Sequence, residues 1–128
     1  MKPLLTALLV ALGGALGALL RWQAGRLLPW NAQSLPWATL VVNLLGAFAA
    51  GLFFVVLARA EPVWRSFLLV GLCGALTTFS ALMLEVLMLL EQDRASLALL
   101  YLGLSFGFGL LLCLLGYAIG YRLTGDPQ

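Results

Sequence analysis

The sequence predicts an all-α membrane protein with four transmembrane helices in each subunit. Of its 128 residues, 63% are hydrophobic and only 9% are charged, a much smaller charged share than in an ordinary globular domain. Uncharged stretches cover 3–20, 27–58, 66–84 and 95–121. About 20 apolar residues are enough for a helix to cross about 30 Å of hydrocarbon. Four such helices use nearly the whole chain, so we expect one transmembrane domain over 1–128.

The residue types that are missing exclude several function classes. The chain has no histidine, which removes the commonest general base, the usual metal ligand and the partner of a nucleophilic Ser or Cys. Cys73 and Cys113 lie far apart in apolar stretches, without the spacing of a zinc site or a disulfide framework. Seven scattered Lys and Arg residues and a net charge of +2 do not form a nucleic-acid-binding surface. We therefore expect neither an enzyme nor a nucleic-acid partner.

The predicted spans are 4–20, 37–57, 66–90 and 97–121. All four Trp residues lie in or beside the connections between spans, where an indole ring suits the headgroup region of a bilayer. The apolar stretch after Lys2 would also suit a secretory signal. Because no small-residue cleavage site precedes a mature domain, we assign this stretch to the first span.

The charges on the two sides of the predicted bundle are nearly balanced. The cations are Lys2, Arg59, Arg65 and Arg122 on one side, and Arg21, Arg26 and Arg94 on the other. Orientation in the membrane follows the Lys/Arg excess, so a difference of one predicts insertion in both directions. Two oppositely inserted copies would pair about a twofold axis in the membrane plane, as inverted repeats do in transporters. Termini on one side in every molecule would contradict this hypothesis.

The middle of the third span combines two glycines with three hydroxyl residues, in the stretch Gly71-Leu-Cys-Gly74-Ala-Leu-Thr77-Thr78-Phe79-Ser80. This pattern predicts a break in the helix near the midplane, and broken helices expose carbonyl and amide groups to bound ions. The alternative is a continuous helix whose hydroxyls bond back to the preceding turn. If two antiparallel copies meet at the break, their freed carbonyls would suit a small cation.

Other polar residues within the spans are candidates for an ion pathway. Thr39 and Asn43 are four residues apart and share a helix face; an Asn there would equally suit a hydrogen bond between helices. Glu85 is the single carboxylate in an apolar stretch, which by default indicates a functional site. Its position near the end of the third span also allows simple hydration of the carboxylate.

The fourth span has a stripe of polar and small residues. Tyr101, Ser105, Gly109 and Cys113 recur every four residues and therefore lie on one face. This face would line a narrow pathway or pack against a neighbouring helix. Small-residue pairs also recur at helix-packing spacing and predict a tight bundle or a dimer seam. The pairs are Gly13 with Gly17, Gly103 with Gly107, and Gly116 with Gly120.

Together these residues resemble the Fluc family of bacterial fluoride channels, and the similarity covers essentially the whole chain. Two of the matching pieces are Gly13-Gly14-Ala-Leu-Gly17-Ala-Leu-Leu-Arg21-Trp22 and Pro36-Trp37-Ala-Thr39-Leu-Val-Val-Asn43-Leu-Leu-Gly46. The third is the glycine and hydroxyl stretch of the third span, with Glu85 six residues beyond Phe79. The motifs are specific in combination, and no single one would suffice.

The resemblance implies a fluoride channel of the bacterial inner membrane that passively exports cytoplasmic fluoride. It implies an antiparallel dual-topology homodimer with two pores and one central Na⁺, held by the backbone carbonyls of Gly74 and Thr77. It also implies that Phe79 presents its positive ring edge to the anion and that Arg21 serves a positively charged vestibule. From the residues alone, Arg21 would sooner be an interfacial anchor. The implied pathway residues are Thr39, Asn43, Thr78, Phe79, Ser80, Glu85, Tyr101 and Ser105.

The chain departs from the family pattern where ions should pass. Leu82 stands where a second pore-lining Phe is usual. Small or apolar residues also stand in place of the usual glycine or hydroxyl residues, at Ala75, Ala81, Met83, Gly109 and Cys113. A pore with fewer donors compensates less for the water that an anion loses. Water at Gly109, poor conduction or a paralogous partner subunit are therefore open alternatives.

Two further functions compete with a fluoride channel. One is a dual-topology, proton-coupled multidrug exporter of the small four-helix type, which works through a carboxylate in its first span. No acidic residue precedes Glu61, so Glu85 would have to take that role. The other is a non-conducting structural subunit, which the apolar substitutions in the pore favour.

Overall fold

The computed structural model describes residues 2–125, and its regular secondary structure is entirely helical. In chain order the elements are α1 (Lys2–Leu27), α2 (Trp37–Val56), α3 (Pro62–Arg65), a π-helical segment (Ser66–Cys73), α4 (Gly74–Leu76), α5 (Phe79–Glu91) and α6 (Ala95–Thr124). The units long and apolar enough to cross a membrane are Pro3–Leu27, Trp37–Val56, Pro62–Glu91 and Ala95–Thr124. The prediction of an all-α protein with four spanning units is confirmed.

The first, third and fourth spanning units are longer than the spans predicted from the charged residues, whereas α2 ends one residue earlier, at Val56. α1 continues beyond Leu20 to Leu27, because Arg21 and Arg26 do not interrupt a helix and the next proline after Pro3 is Pro29. The third unit begins at Pro62, a residue whose fixed φ suits the first helical position. The charged residues that bound the apolar stretches therefore do not mark the ends of the helices in this chain.

The most extensive contacts join α2 to α6 and α1 to the third spanning unit. α2 packs along α6, and α1 packs along the π-helical segment and α4. Glycines permit both contacts: a Cβ at Gly13 would overlap the carbonyl oxygen of Phe67, and one at Gly116 would overlap that of Phe48. By contrast, a Cβ added at Gly103 or Gly107 would have no atom within 4 Å, so this predicted pair does not pack within the subunit.

The buried core lies where α2, α5 and α6 meet. It consists of Leu40, Leu82, Leu89, Ala98 and Tyr101. Leu89 and Tyr101 are completely buried, whereas large apolar side chains cover the outer faces of the helices. An apolar exterior of this extent is unfavourable in water and is covered by lipid in a bilayer. The core thus fixes α5 beside α2 and α6, where the candidate site lies.

Candidate functional site

The backbone leaves helical geometry for two residues between α4 and α5. Thr77 has φ −78° and ψ 152°, and Thr78 has φ −148° and ψ 122°. Asn43 of α2 pairs with the second of them. Its Oδ1 accepts a hydrogen bond from the Thr78 amide at 2.7 Å, and its Nδ2 donates to the Thr78 carbonyl at 3.1 Å. One side-chain amide therefore binds both backbone groups of a residue whose own backbone is extended.

The two threonine hydroxyls stabilise the helix ends on either side. Thr78 Oγ1 accepts from the Ala81 amide at 3.2 Å and so caps α5, as Thr commonly does at a helix start. It also lies 3.3 Å from Ser80 Oγ. Thr77 Oγ1 donates back to the Cys73 carbonyl at 2.9 Å, a bond to the preceding turn. Because α4 ends at Leu76 and α5 begins at Phe79, the positive end of the α5 dipole lies close to the negative end of α4.

Glu85 binds two hydroxyls from neighbouring helices. Thr39 Oγ1 of α2 donates to Oε1 at 2.6 Å, and the Tyr101 hydroxyl of α6 donates to Oε2 at 2.6 Å. Both hydroxyl residues are buried. This geometry goes beyond simple hydration of a carboxylate near the end of a span, because each carboxylate oxygen has a dedicated donor. In this arrangement the two hydroxyls point their hydrogens at Glu85.

An open groove of about 270 Å³ lies beside the non-helical residues. It is lined by Asn43, Ala47, Thr77, Thr78, Phe79, Leu82, Ser105, Phe106 and Gly109. Ser105 Oγ is buried and has no hydrogen-bond partner among the described residues. Asn43 Nδ2 carries a second hydrogen besides the one it donates to Thr78. The groove is therefore lined by residues that carry a hydroxyl and an amide donor.

The polar groups of α2 and α6 form successive levels, because residues four apart lie above one another on a helix. Thr39 and Tyr101 form the first level through Glu85. The second level consists of Asn43 and Ser105, and the third of Ala47 and Gly109, which all line the groove. Side-chain donors are thus present at the first and second levels, whereas the third level has none.

Arg21 lies near the carboxyl end of α4. Its Nε donates to the Ala75 carbonyl at 3.1 Å, so the guanidinium caps one of the last carbonyls before the interruption. A cation is favourable at this end of a helix. Gly17, one turn earlier on α1, permits this contact because a Cβ there would overlap the Leu72 carbonyl oxygen. The Arg21 side chain is half-buried.

The predicted cation ligands fit a small hard cation by their chemistry. Gly74 is exposed, and the nearest atom to an added Cβ would be the Leu69 carbonyl oxygen at 3.6 Å. Its surroundings are therefore open. Thr77, with extended backbone, directs its carbonyl out of the helical pattern. Neutral carbonyl oxygens are ligands that hard cations accept.

The positions where we expected departures from the family pattern carry apolar or small side chains, and two of them, Leu82 and Gly109, line the groove. Leu82 is buried, belongs to the core and lines the groove, so it presents an apolar wall. Met83 packs against the same core. Gly109 leaves open space on α6, and Cys113 is a free, half-buried cysteine. The space beside Gly109 is part of the groove and is wide enough for water.

The sequence matches a known family over most of its length. The family model described as "CrcB-like protein, Camphor Resistance (CrcB)" matches residues 8–117. The chain belongs to this CrcB family. All the predicted site residues, from Arg21 to Ser105, lie within the matched range. With its four spanning units, this CrcB member is a multi-pass membrane protein.

Several relatives in the CrcB family are named "Fluoride-specific ion channel FluC". The relative from Xylella fastidiosa is 45% identical over 125 residues, which cover 94% of this chain and 87% of the relative. That from Thermus thermophilus is 47% identical over 124 residues, covering 92% and 95%. That from Pseudomonas paraeruginosa is 43% identical over 112 residues, covering 85% and 88%.

The structure of this CrcB member places the predicted pathway residues in two adjoining groups. The structure brings Thr39, Glu85 and Tyr101 into one cluster and Asn43, Thr78, Phe79 and Ser105 into the groove. Ser80 lies beside the Thr78 hydroxyl. The sequence did not indicate Ala47 and Phe106 as lining residues, because apolar side chains in an apolar span carry no distinguishing signal. It also did not indicate the Ala75 carbonyl as the partner of Arg21.

Proposed function

We propose that this CrcB member is a fluoride-selective channel of the bacterial inner membrane that lets cytoplasmic fluoride leave passively. The relatives named as fluoride channels support this proposal over nearly their full length. The observation in the molecule that carries it is the buried hydroxyl of Ser105, a residue that lines the groove and whose Oγ has no hydrogen-bond partner among the described residues. A buried donor of this kind is unfavourable unless a ligand or water accepts its hydrogen bond. A small, strongly hydrated anion is such an acceptor.

The groove provides the interactions that a dehydrated fluoride needs. Ser105 and the second Asn43 Nδ2 hydrogen replace lost water molecules. Phe79 lines the groove and is 65% exposed, so its ring is accessible and its positive edge would attract an anion. The first turn of α5 adds the positive end of a helix dipole. Arg21 contributes positive charge on the α4 side of the interruption.

The cluster of Thr39, Glu85 and Tyr101 lies one helical turn from the groove. In the pathway that we propose, an anion reaching this level competes with Glu85 for the hydroxyl hydrogens of Thr39 and Tyr101. A rotation of either hydroxyl would transfer its hydrogen bond from the carboxylate to the anion. Glu85 thereby fixes the orientation of both donors when no anion is near. This role differs from that of a proton carrier in an exporter.

We further propose that two copies insert in opposite directions and meet at the third span. Thr77 and Thr78 lie at the middle of the unit Pro62–Glu91, which supports a break near the bilayer midplane. A twofold axis there would bring the open Gly74 surfaces of the two copies together. The carbonyls of Gly74 and Thr77 from both copies would then hold one Na⁺. The bound cation would stabilise the negative carboxyl ends of α4 in both copies. Because its ligands are neutral carbonyls, no residue would have to gain or lose a proton.

The proposed function is tested by fluoride efflux from liposomes that contain the purified protein. We expect fluoride to leave without a proton gradient. Asn43→Ala and Phe79→Ile should each reduce the flux about tenfold or more, because one removes an amide donor and the other the ring edge. Normal flux in both variants would contradict the pathway. No efflux from a folded, dimeric protein would instead indicate a non-conducting subunit.

A separate experiment distinguishes a proton-coupled exporter. Organic-cation transport that depends on a proton gradient and is lost in Glu85→Gln would support the exporter and contradict the channel. The exporter needs a carboxylate that binds and releases protons during each cycle. In the structure, both Glu85 oxygens accept hydroxyl hydrogen bonds. We therefore expect no such transport.

A further inference from the structure

The carbonyl oxygens at the end of α4 differ in their partners. In a continuous α-helix each carbonyl accepts a hydrogen bond from the amide four residues later. For Gly74 that amide is the Thr78 N–H, which instead donates to Asn43 Oδ1 at 2.7 Å. The Gly74 carbonyl is therefore without its helical bond because a side chain on another helix binds the donor.

The neighbouring carbonyls have other donors. The Cys73 carbonyl accepts from the Thr77 amide at 3.1 Å and from the Thr77 hydroxyl at 2.9 Å. The Ala75 carbonyl accepts from Arg21 Nε at 3.1 Å. Gly74 lies between these two satisfied positions, and its surroundings are open. Of the three consecutive carbonyls of Cys73, Gly74 and Ala75, that of Gly74 is thus left for a ligand, on an exposed residue.

We propose that Asn43 is a positioning residue for the cation site: by binding the Thr78 amide, it keeps the Gly74 carbonyl free to coordinate a small cation. This inference rests on the proposed Na⁺ site at Gly74 and Thr77. It gives Asn43 a role besides donating to an anion in the groove. The same side chain lines the groove, so the cation site and the anion groove share one residue.

The proposal predicts how two substitutions separate these roles. Without the Asn43 side chain, the Thr78 amide is free to bond the Gly74 carbonyl and complete the helical turn. Asn43→Ala should therefore weaken cation binding as well as remove a donor from the groove. Asn43→Asp keeps an oxygen that accepts from the Thr78 amide but loses the Nδ2 donor. It should retain cation binding and lose fluoride conduction.

The test measures stabilisation by Na⁺ in the purified full-length protein, without reference to transport. Thermal unfolding in detergent is followed while Na⁺ replaces choline at constant ionic strength. We expect Asn43→Ala to raise the half-saturating Na⁺ concentration about tenfold or more, the effect of losing one ligand or hydrogen bond to a charged group. Asn43→Asp should stay within about threefold of the wild type. Ser105→Ala is the matched control, because Ser105 lines the groove but its hydroxyl forms no hydrogen bond with Thr78 or Gly74. The half-saturating concentration of this variant should not change.

The outcomes distinguish this inference from the function on which it rests. A wild-type Na⁺ response in Asn43→Ala would overturn the positioning role while leaving the cation site in place. No Na⁺ response in the wild type would overturn the site and, with it, the inference. Absent fluoride efflux with the expected Na⁺ responses would contradict the channel function alone. If Asn43→Ala is not monodisperse, Asn43→Gln displaces the same amide by one methylene and is expected to raise the half-saturating concentration similarly.

Discussion

At the scale of single residues, the site is distinguished by which polar groups already have partners. Thr39 and Tyr101 donate to Glu85, and Asn43 pairs with the Thr78 backbone. Ser105 has no such partner among the described residues. Groups with partners stabilise the fold, whereas a buried group without one is available to a ligand. Substitution of a group that has a partner should therefore reduce stability, whereas substitution of Ser105 should reduce transport and leave stability unchanged.

Ser105→Ala should reduce transport without reducing stability. The substitution removes a hydroxyl that bonds to no described protein atom, so the unfolding temperature should stay within about 2 °C of the wild type. Fluoride efflux should fall about tenfold, the cost of one hydrogen bond to a charged group. Ser96→Ala, at an exposed position near the start of α6, is the control and should change neither quantity. Wild-type efflux in Ser105→Ala would remove this hydroxyl from the pathway.

Thr39→Val should reduce stability. Valine has nearly the same shape, but it leaves Glu85 Oε1 without its donor in a partly buried position. We expect a loss of about 1–3 kcal/mol in the free energy of unfolding, and a similar loss for Tyr101→Phe. Denaturant titration of the single and double variants in detergent measures both effects and their coupling. Additive losses would show that the two hydroxyls do not act through one carboxylate.

The sequence predicted most of the site's members but not their bonds. Glu85 and Asn43 were identifiable because polar residues are rare in apolar spans. The pairing of Asn43 with the Thr78 backbone was not, since it joins residues 35 positions apart. The bond from Arg21 to the Ala75 carbonyl could not be predicted either, because its acceptor is a backbone group that every residue type carries. Contacts between a side chain and a distant backbone group can be identified only once the fold is known.

At the scale of the helical elements, the third span is the irregular one. The glycine and hydroxyl stretch indicated where the backbone could leave the helix, and Thr78 is a suitable cap for α5. The π-helical segment Ser66–Cys73 was not predictable, because hydrophobic periodicity does not register a one-residue change in hydrogen-bond spacing. Its close contact with α1 depends on glycines on both partners, Gly13 and Gly71.

Two adjacent glycines of α1 provide a matched test of this contact. A Cβ at Gly13 would overlap the Phe67 carbonyl oxygen, whereas one at Gly14 would have no atom within 4 Å. Gly13→Ala should destabilise the protein by about 1–3 kcal/mol because backbone cannot move aside easily. Gly14→Ala should be neutral or stabilising by up to about 1 kcal/mol, through helix propensity. Equal unfolding temperatures for the two variants in detergent would contradict the packing of α1 on the third span.

At the scale of the whole molecule, hydropathy was sufficient to predict the fold class but not the arrangement of the helices. The four spanning units are apolar on most faces, so their patterns do not tell which pairs touch. In the structure, glycine contacts place α1 on the third span and α2 on α6. The groove remains open on one side of the single chain, as expected if a second copy completes the pathway that we propose.

The ion selectivity of the purified protein in a planar bilayer tests the central claim most directly. With unequal fluoride concentrations on the two sides and an oppositely directed chloride gradient, a fluoride-selective channel reverses its current close to the equilibrium potential of fluoride. We predict this result, with no dependence on a pH gradient across the bilayer. A current that reverses at the chloride or proton equilibrium potential would contradict the account.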